Sequence, residues 1–128
     1  MKLPTPSADM PRESGRVNAH REAVVEIRFV QGDISECVVD TGFDGALILP
    51  RSVAEQLRLT VVARLVFALV GGARMTADVA LAEIEWLGQN RTVEVILSEE
   101  NDALLGTEMF ESATLDIDYP NRSVLISN

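Results

Sequence analysis

The residues available for chemistry in this chain are carboxylates and hydroxyls. Its 128 residues include one His, one Cys and one Lys, at His20, Cys37 and Lys2. Zinc sites with several His or Cys ligands, and phosphate loops built on a lysine, are therefore excluded. A Ser/His/Asp or Cys/His machine would have to run on His20 alone, which sits in a polar stretch and reads as a turn residue. Cys37 lies in a β-branched run and reads as a small buried hydrophobe. The most distinctive placement is Asp40, in Cys37-Val38-Val39-Asp40-Thr41-Gly42. A carboxylate at the end of an apolar strand and against a glycine turn is positioned for general acid or base work. Asp, Thr and Gly are also ordinary turn formers, so the tripeptide alone equally describes a surface turn. Asp44 follows in the same loop and, with Asp40, could instead bind a cation. Glu99, Glu100 and Asp102 read as a solvated loop.

The elements around this loop have a strand period. Val25, Ile27 and Phe29 share one face, with Glu26, Arg28 and Val30 on the other. Gln31-Gly32-Asp33 turns the chain into Ile34–Val39, so a hairpin delivers the Asp40 loop. Pro50 opens one or two helical turns carrying Val53, Ala54 and Leu57 on one face. Two long runs, Leu59–Val70 and Arg74–Trp86, join through Gly71-Gly72, which permits the positive φ of a tight hairpin. Arg91–Leu97 is a further strand, and Ala103-Leu104-Leu105-Gly106 reads as a buried strand ending in a turn. Thr107–Ser112 is a short helix with Met109 and Phe110 inward. Leu115 and Ile117 then alternate with Asp116 and Asp118, and Pro120-Asn121 turns into Ser123–Ser127. Many short strands with one or two short helices predict an all-β barrel or sandwich.

The length suits one domain. Residues 1–14 hold Pro4, Pro6 and Pro11 without a hydrophobic period and are expected to be a flexible leader, with the domain at 15–128. Twenty acidic against eleven basic residues leave a formal charge of -9. Nucleic acid and anionic membranes are thereby disfavoured as partners. The longest uncharged apolar stretch, Leu65–Ala73, is too short to span a bilayer. A single Cys forms no intrachain disulfide, and no apolar signal core opens the chain, so a cytoplasmic location is expected.

Two segments in this order, Val38-Val39-Asp40-Thr41-Gly42-Phe43-Asp44-Gly45-Ala46-Leu47-Ile48-Leu49-Pro50 and Leu104-Leu105-Gly106-Thr107-Glu108-Met109-Phe110, resemble the retropepsin-like aspartic proteases. The similarity spans residues 15–128 and includes the glycine-tipped hairpin. It implies a closed β-barrel protomer with a flap hairpin, acting as a homodimer, because each chain has one Asp-Thr-Gly loop and the site needs two. By the resemblance, Asp40, Thr41 and Gly42 are catalytic: the acid/base, the brace across the two-fold axis and the close approach beneath substrate. Leu104, Leu105 and Gly106 match the segment packed under the loop. Phe43, Asp44, Gly71, Gly72 and Leu105 are expected to bind substrate, and Val124–Ser127 to supply a strand to the dimer sheet. The implied reaction is hydrolysis of peptide bonds in an extended peptide or protein substrate, by water activated between two Asp40 carboxylates that share a proton, with no metal or cofactor.

The pattern also departs from the retroviral enzymes. Phe43 stands where they carry alanine and Thr107 where they carry arginine, so the usual ion pair to Asp44 is absent. Asp44 is left either to bind a substrate amide or to sit solvated, and Phe43 either narrows a subsite or fills space. Trp86 reads as a packing residue. A non-catalytic peptide-binding or dimerisation module on the same fold is the alternative function.

Overall fold

The computed structural model describes residues 10–128. The part of the expected leader at 1–9 lies outside the described residues. The first strand, β1 (Arg12–Val17), starts three residues before the expected domain boundary. Its polar sequence hid it, because Glu13 is buried and stabilised by polar partners. Its carboxylate accepts hydrogen bonds from the Arg28 guanidinium, at 2.9 and 3.2 Å, and from the Leu87 amide at 2.8 Å. A buried carboxylate is tolerable when it is paired in this way.

Next come β2 (Ala23–Phe29) and β3 (Ile34–Val39), paired antiparallel. Val25, Ile27 and Phe29 are buried as their alternation requires, while Glu26 is exposed. β4 (Leu47–Pro50) leads into α1 (Arg51–Gln56), which presents Ala54 to the core. Then follow β5 (Val61–Ala68) and β6 (Arg74–Trp86), which form the long hairpin, and β7 (Gln89–Ser98). Gly71 and Gly72 turn the β5–β6 hairpin with φ of 95° and 88°, values strained for any residue with a Cβ. β8 (Leu104–Leu105) runs into a 3₁₀ turn at Thr107–Phe110, and β9 (Thr114–Asp118) and β10 (Ser123–Ser127) complete the chain.

All ten strands belong to one sheet, ordered β5-β6-β7-β4-β8-β3-β2-β1-β10-β9, and an added β2–β6 pairing closes six of them into a ring. Trp86, Ile27, Leu47, Leu49, Ile84, Leu105 and Ile126 are among its fully buried core side chains. Each such side chain taken out of water contributes about 1.5–3 kcal/mol. Trp86 is a packing residue: its indole N–H donates to the Met109 carbonyl at 3.0 Å, and its ring meets Phe110 edge-on at 6.4 Å. Cys37 is wholly buried, and burial pushes its thiol up to about 12. Among the described residues no helix is long and apolar enough to cross a membrane.

Val124–Ser127, expected to supply a strand to a dimer sheet, forms β10, which within the chain is paired along its length with β1 on one side and β9 on the other. Among the described residues the free edges of the sheet are β5 and β9.

Candidate active site

β8 is only two residues long, yet it wedges between two strands and thereby holds the Asp40 loop. It runs parallel to β3, with Val38 beside Leu104 and Val39 beside Leu105, and antiparallel to β4, with Leu47 beside Leu105 and Ile48 beside Leu104. The Asp40 amide donates to the Leu105 carbonyl at 2.9 Å, which carries the pairing one residue past the end of β3. From there the chain turns back on itself. Asp40 Oδ1 accepts the Gly42 amide at 2.9 Å, and the Asp40 carbonyl accepts the Phe43 amide at 3.1 Å. One carboxylate oxygen is thus held by the loop's own backbone.

The far side of the loop is tied to the 3₁₀ turn. The Phe43 carbonyl accepts the Thr107 amide at 2.8 Å and the Thr107 hydroxyl at 3.3 Å; the Gly106 amide donates to Ala46 at 2.9 Å and the Glu108 amide to Gly45 at 3.2 Å. Neutral hydrogen bonds from Thr107 therefore brace the place where an ion pair to Asp44 was missing from the sequence pattern. Phe43 is half-buried, with its ring laid over Gly45 and Gly106. It fills space in the loop. Asp44 is exposed, in a shallow depression with Thr107, Glu108 and Glu111.

Asp40 and Thr41 open onto a hollow of about 390 Å³ that also takes in Leu104, Ile117, Tyr119 and Arg21. Leu105 does not face it, being fully buried beneath the loop. Strand alternation decides between the two leucines: Leu104 points out beside Asp40 and Leu105 points into the core. Ile117 of β9 and Tyr119, in the turn just after it, enter the hollow from far along the chain, with no local signal except the alternation of Leu115 and Ile117. Glu22 also borders the hollow, with its carboxylate hydrogen-bonded to the Asn18 side chain at 3.0 Å. Gly71 and Gly72 are not brought to the loop, and a Cβ at either would meet nothing within 4 Å. Among the described residues no group of three or more His, Cys, Asp or Glu is arranged to hold a metal.

The base of the β5–β6 hairpin is held by charge. Asp78 on β6 accepts from Arg64 on β5 at 3.0 Å and from Arg51 on α1 at 3.1 Å, and Arg51 reaches Glu99 at 2.8 Å. The hydrogen bond from Arg64, supported by Arg51, holds the Asp78 carboxyl below the usual aspartate range. Glu99 is exposed, as expected of a solvated loop, and only its pairing with Arg51 went unread in the sequence, since the members of the network come from four separate segments.

The fold has counterparts in solved structures. A retropepsin-like aspartic protease from Rickettsia conorii superposes with a TM-score of 0.66 at 13% identity, covering 97% of this chain and 96% of that one. The chain has the retropepsin-like aspartic protease fold. The EIAV protease, in complex with the inhibitor HBY-793, matches at a TM-score of 0.56 and 15% identity over 74% of this chain and 90% of its own. The simian foamy virus protease matches at 0.50 and 16%, over 66% and 88%. No family model matches the sequence, and no curated protein does. At these identities the retropepsin-like likeness is one of fold.

Proposed function

We propose that this chain is an aspartic endopeptidase whose active form is a homodimer, with Asp40 of each copy supplying one carboxylate. The observation that carries the reading is Asp40 itself. It is held at the end of β3 by the Leu105 carbonyl and the Gly42 amide, beside an open hollow, on a retropepsin-like fold.

Two carboxylates brought close together cannot both stay ionised, so the pair holds one proton. The ionised member takes a proton from a water between them as that water attacks the scissile carbonyl carbon. The protonated member gives its proton to the carbonyl oxygen, producing a neutral tetrahedral diol. Collapse breaks the C–N bond with a proton delivered to nitrogen, and the pair returns to its starting state with one proton. No covalent intermediate is formed. An extended peptide would lie between the β5–β6 flap and the loop floor, hydrogen-bonded as an added strand, and flap closure would exclude water. Phe43 packs over Gly45 and Gly106 within the loop, and Leu104 takes the floor position first expected of Leu105.

The test is Asp40→Asn, followed by peptide cleavage at acidic and neutral pH. Cleavage should fall at least about a hundredfold while the protein stays folded. Cleavage undiminished in this variant would sink the reading. Binding of a statine-type inhibitor to the wild type and not to Asp40→Asn would support the dyad independently of any chosen substrate. A folded dimer that binds peptides without cleaving them would instead be a peptide-binding module.

A further inference from the structure

We infer that β9 is the strand through which two copies join, and that Asp116 on it sets how tightly they do so. This rests on the proposed dimeric protease and names its missing interface. β10 is saturated on both sides, which leaves β9 and β5 as the free edges among the described residues. Of these, β9 borders the catalytic hollow, where Ile117 and the adjoining Tyr119 stand beside Asp40 and Thr41. β5 contributes no residue to that hollow. A second copy paired along β9 would place the two Asp40 hollows next to one another, as a shared water requires. The occupant of the edge is therefore a second copy of this chain.

The symmetry of that pairing dictates which side chains meet. Two copies of one strand related by a two-fold axis pair antiparallel only when the axis is perpendicular to the sheet. Such an axis leaves each face of the sheet on its own side. The half-buried Leu115 and Ile117, which share a face with buried Val124 and Ile126, must then meet their own counterparts and extend the core across the axis. By the same symmetry, the face bearing Asp116 and Asp118 must meet itself. Asp116 is exposed and stands opposite Leu125 of β10, with Ser14 of β1 beyond it, so neither neighbour neutralises it. Asp118 stands opposite Ser123, with Arg16 beyond, but Arg16 is paired with Glu36 at 2.7 Å. Asp118 is also occupied locally, accepting the Asn121 amide at 3.0 Å and its side chain at 2.8 Å. Like charges opposed across strands destabilise the pairing. The apolar layer joins the copies, and the acidic layer weakens the joint.

The experiment measures self-association of the full chain by sedimentation equilibrium for the wild type, Asp116→Asn and Glu94→Gln. Glu94 is an exposed acid on β7, so the last variant makes the same change in net charge at a distance from β9. Asp116→Asn should lower the dimer dissociation constant by about threefold or more, and added salt should narrow the gap by screening the wild type. Glu94→Gln should stay within about 1.5-fold of the wild type. Equal affinities for all three proteins would overturn the assignment. So would open-ended aggregation of Asp116→Asn, since the acids would then be guarding a bare edge rather than tuning a closed dimer. Cleavage assays separate this from the reading it rests on. Asp40-dependent cleavage with unaltered association would remove the interface and leave the protease. Tightened association without any cleavage would do the reverse.

Discussion

Phe43 lies so close over Gly106 that a Cβ on the glycine would sit 2.5 Å from a carbon of the ring, and 2.1 Å from the Gly45 carbonyl oxygen. The Asp40 loop and the 3₁₀ turn are thus in contact through backbone, with no room for a side chain at Gly106. Gly106→Ala should therefore push the two segments apart. A loss of about 1–3 kcal/mol in urea unfolding is expected, with a larger proportional loss of cleavage. Wild-type stability in this variant would show that the loop and the turn are not packed as described.

Asp78 ties the base of the flap hairpin to α1 through Arg51. Asp78→Asn should loosen β5 and β6 relative to the ring, raising amide exchange in Arg74–Asp78 by about two- to fivefold. In the cleavage assay it should raise KM more than it lowers kcat. The pH dependence has a definite direction. Hydrogen bonds from Arg64 and Arg51 lower the Asp78 pKa in the folded protein, so the clamp is intact at neutral pH. It is lost only as the pH falls below the ordinary aspartate value of about 3.9 and through the lower folded value. Exchange in the wild type should then approach that of Asp78→Asn, and unchanged exchange down that range would refute the clamp.

Cys37 is wholly buried, and burial pushes its pKa up to about 12. The thiol is therefore un-ionised as well as inaccessible in the folded protein. Iodoacetamide at pH 8 should leave it unmodified over hours and label it within minutes once urea unfolds the chain. Because the folded pKa is the higher one, the thiol's contribution to stability is complete below about 8.5 and declines as the pH rises toward 12. Rapid labelling of the native protein would contradict this placement.

Trp86 links the end of β6 to the 3₁₀ turn by donating to the Met109 carbonyl. Trp86→Phe removes the donor and leaves part of the indole volume empty, so a loss of about 2–4 kcal/mol in chemical unfolding is expected. The effect should fall on stability, with KM unaltered in whatever protein remains folded. A rise in KM without loss of stability would assign Trp86 to substrate instead.

Much of this architecture is legible in the sequence because strand period and turn chemistry are local. The alternation of Val25, Ile27 and Phe29, the glycines of the hairpin and the Asp-Thr-Gly loop each carry their meaning within a few residues. β1 escapes that reading because its buried position is occupied by Glu13, whose partners, Arg28 and the Leu87 amide, lie far along the chain. The charge network at Asp78 escapes it for the same reason.

By itself the sequence determines an all-β chain of strands and tight turns, a single Asp-Thr-Gly loop, and no more than one each of His, Cys and Lys. Tertiary structure alone decides that Leu104 rather than Leu105 lines the hollow with Asp40, that the Phe43 ring packs over Gly45 and Gly106, and that among the described residues β9 rather than β10 carries a free edge. The physical reason is that a residue's face, and a strand's unpaired side, are set by neighbours remote in sequence. Pairing with Val38 and Val39 of β3 sets the register of Leu104 and Leu105, and β1 and β9 occupy both sides of β10.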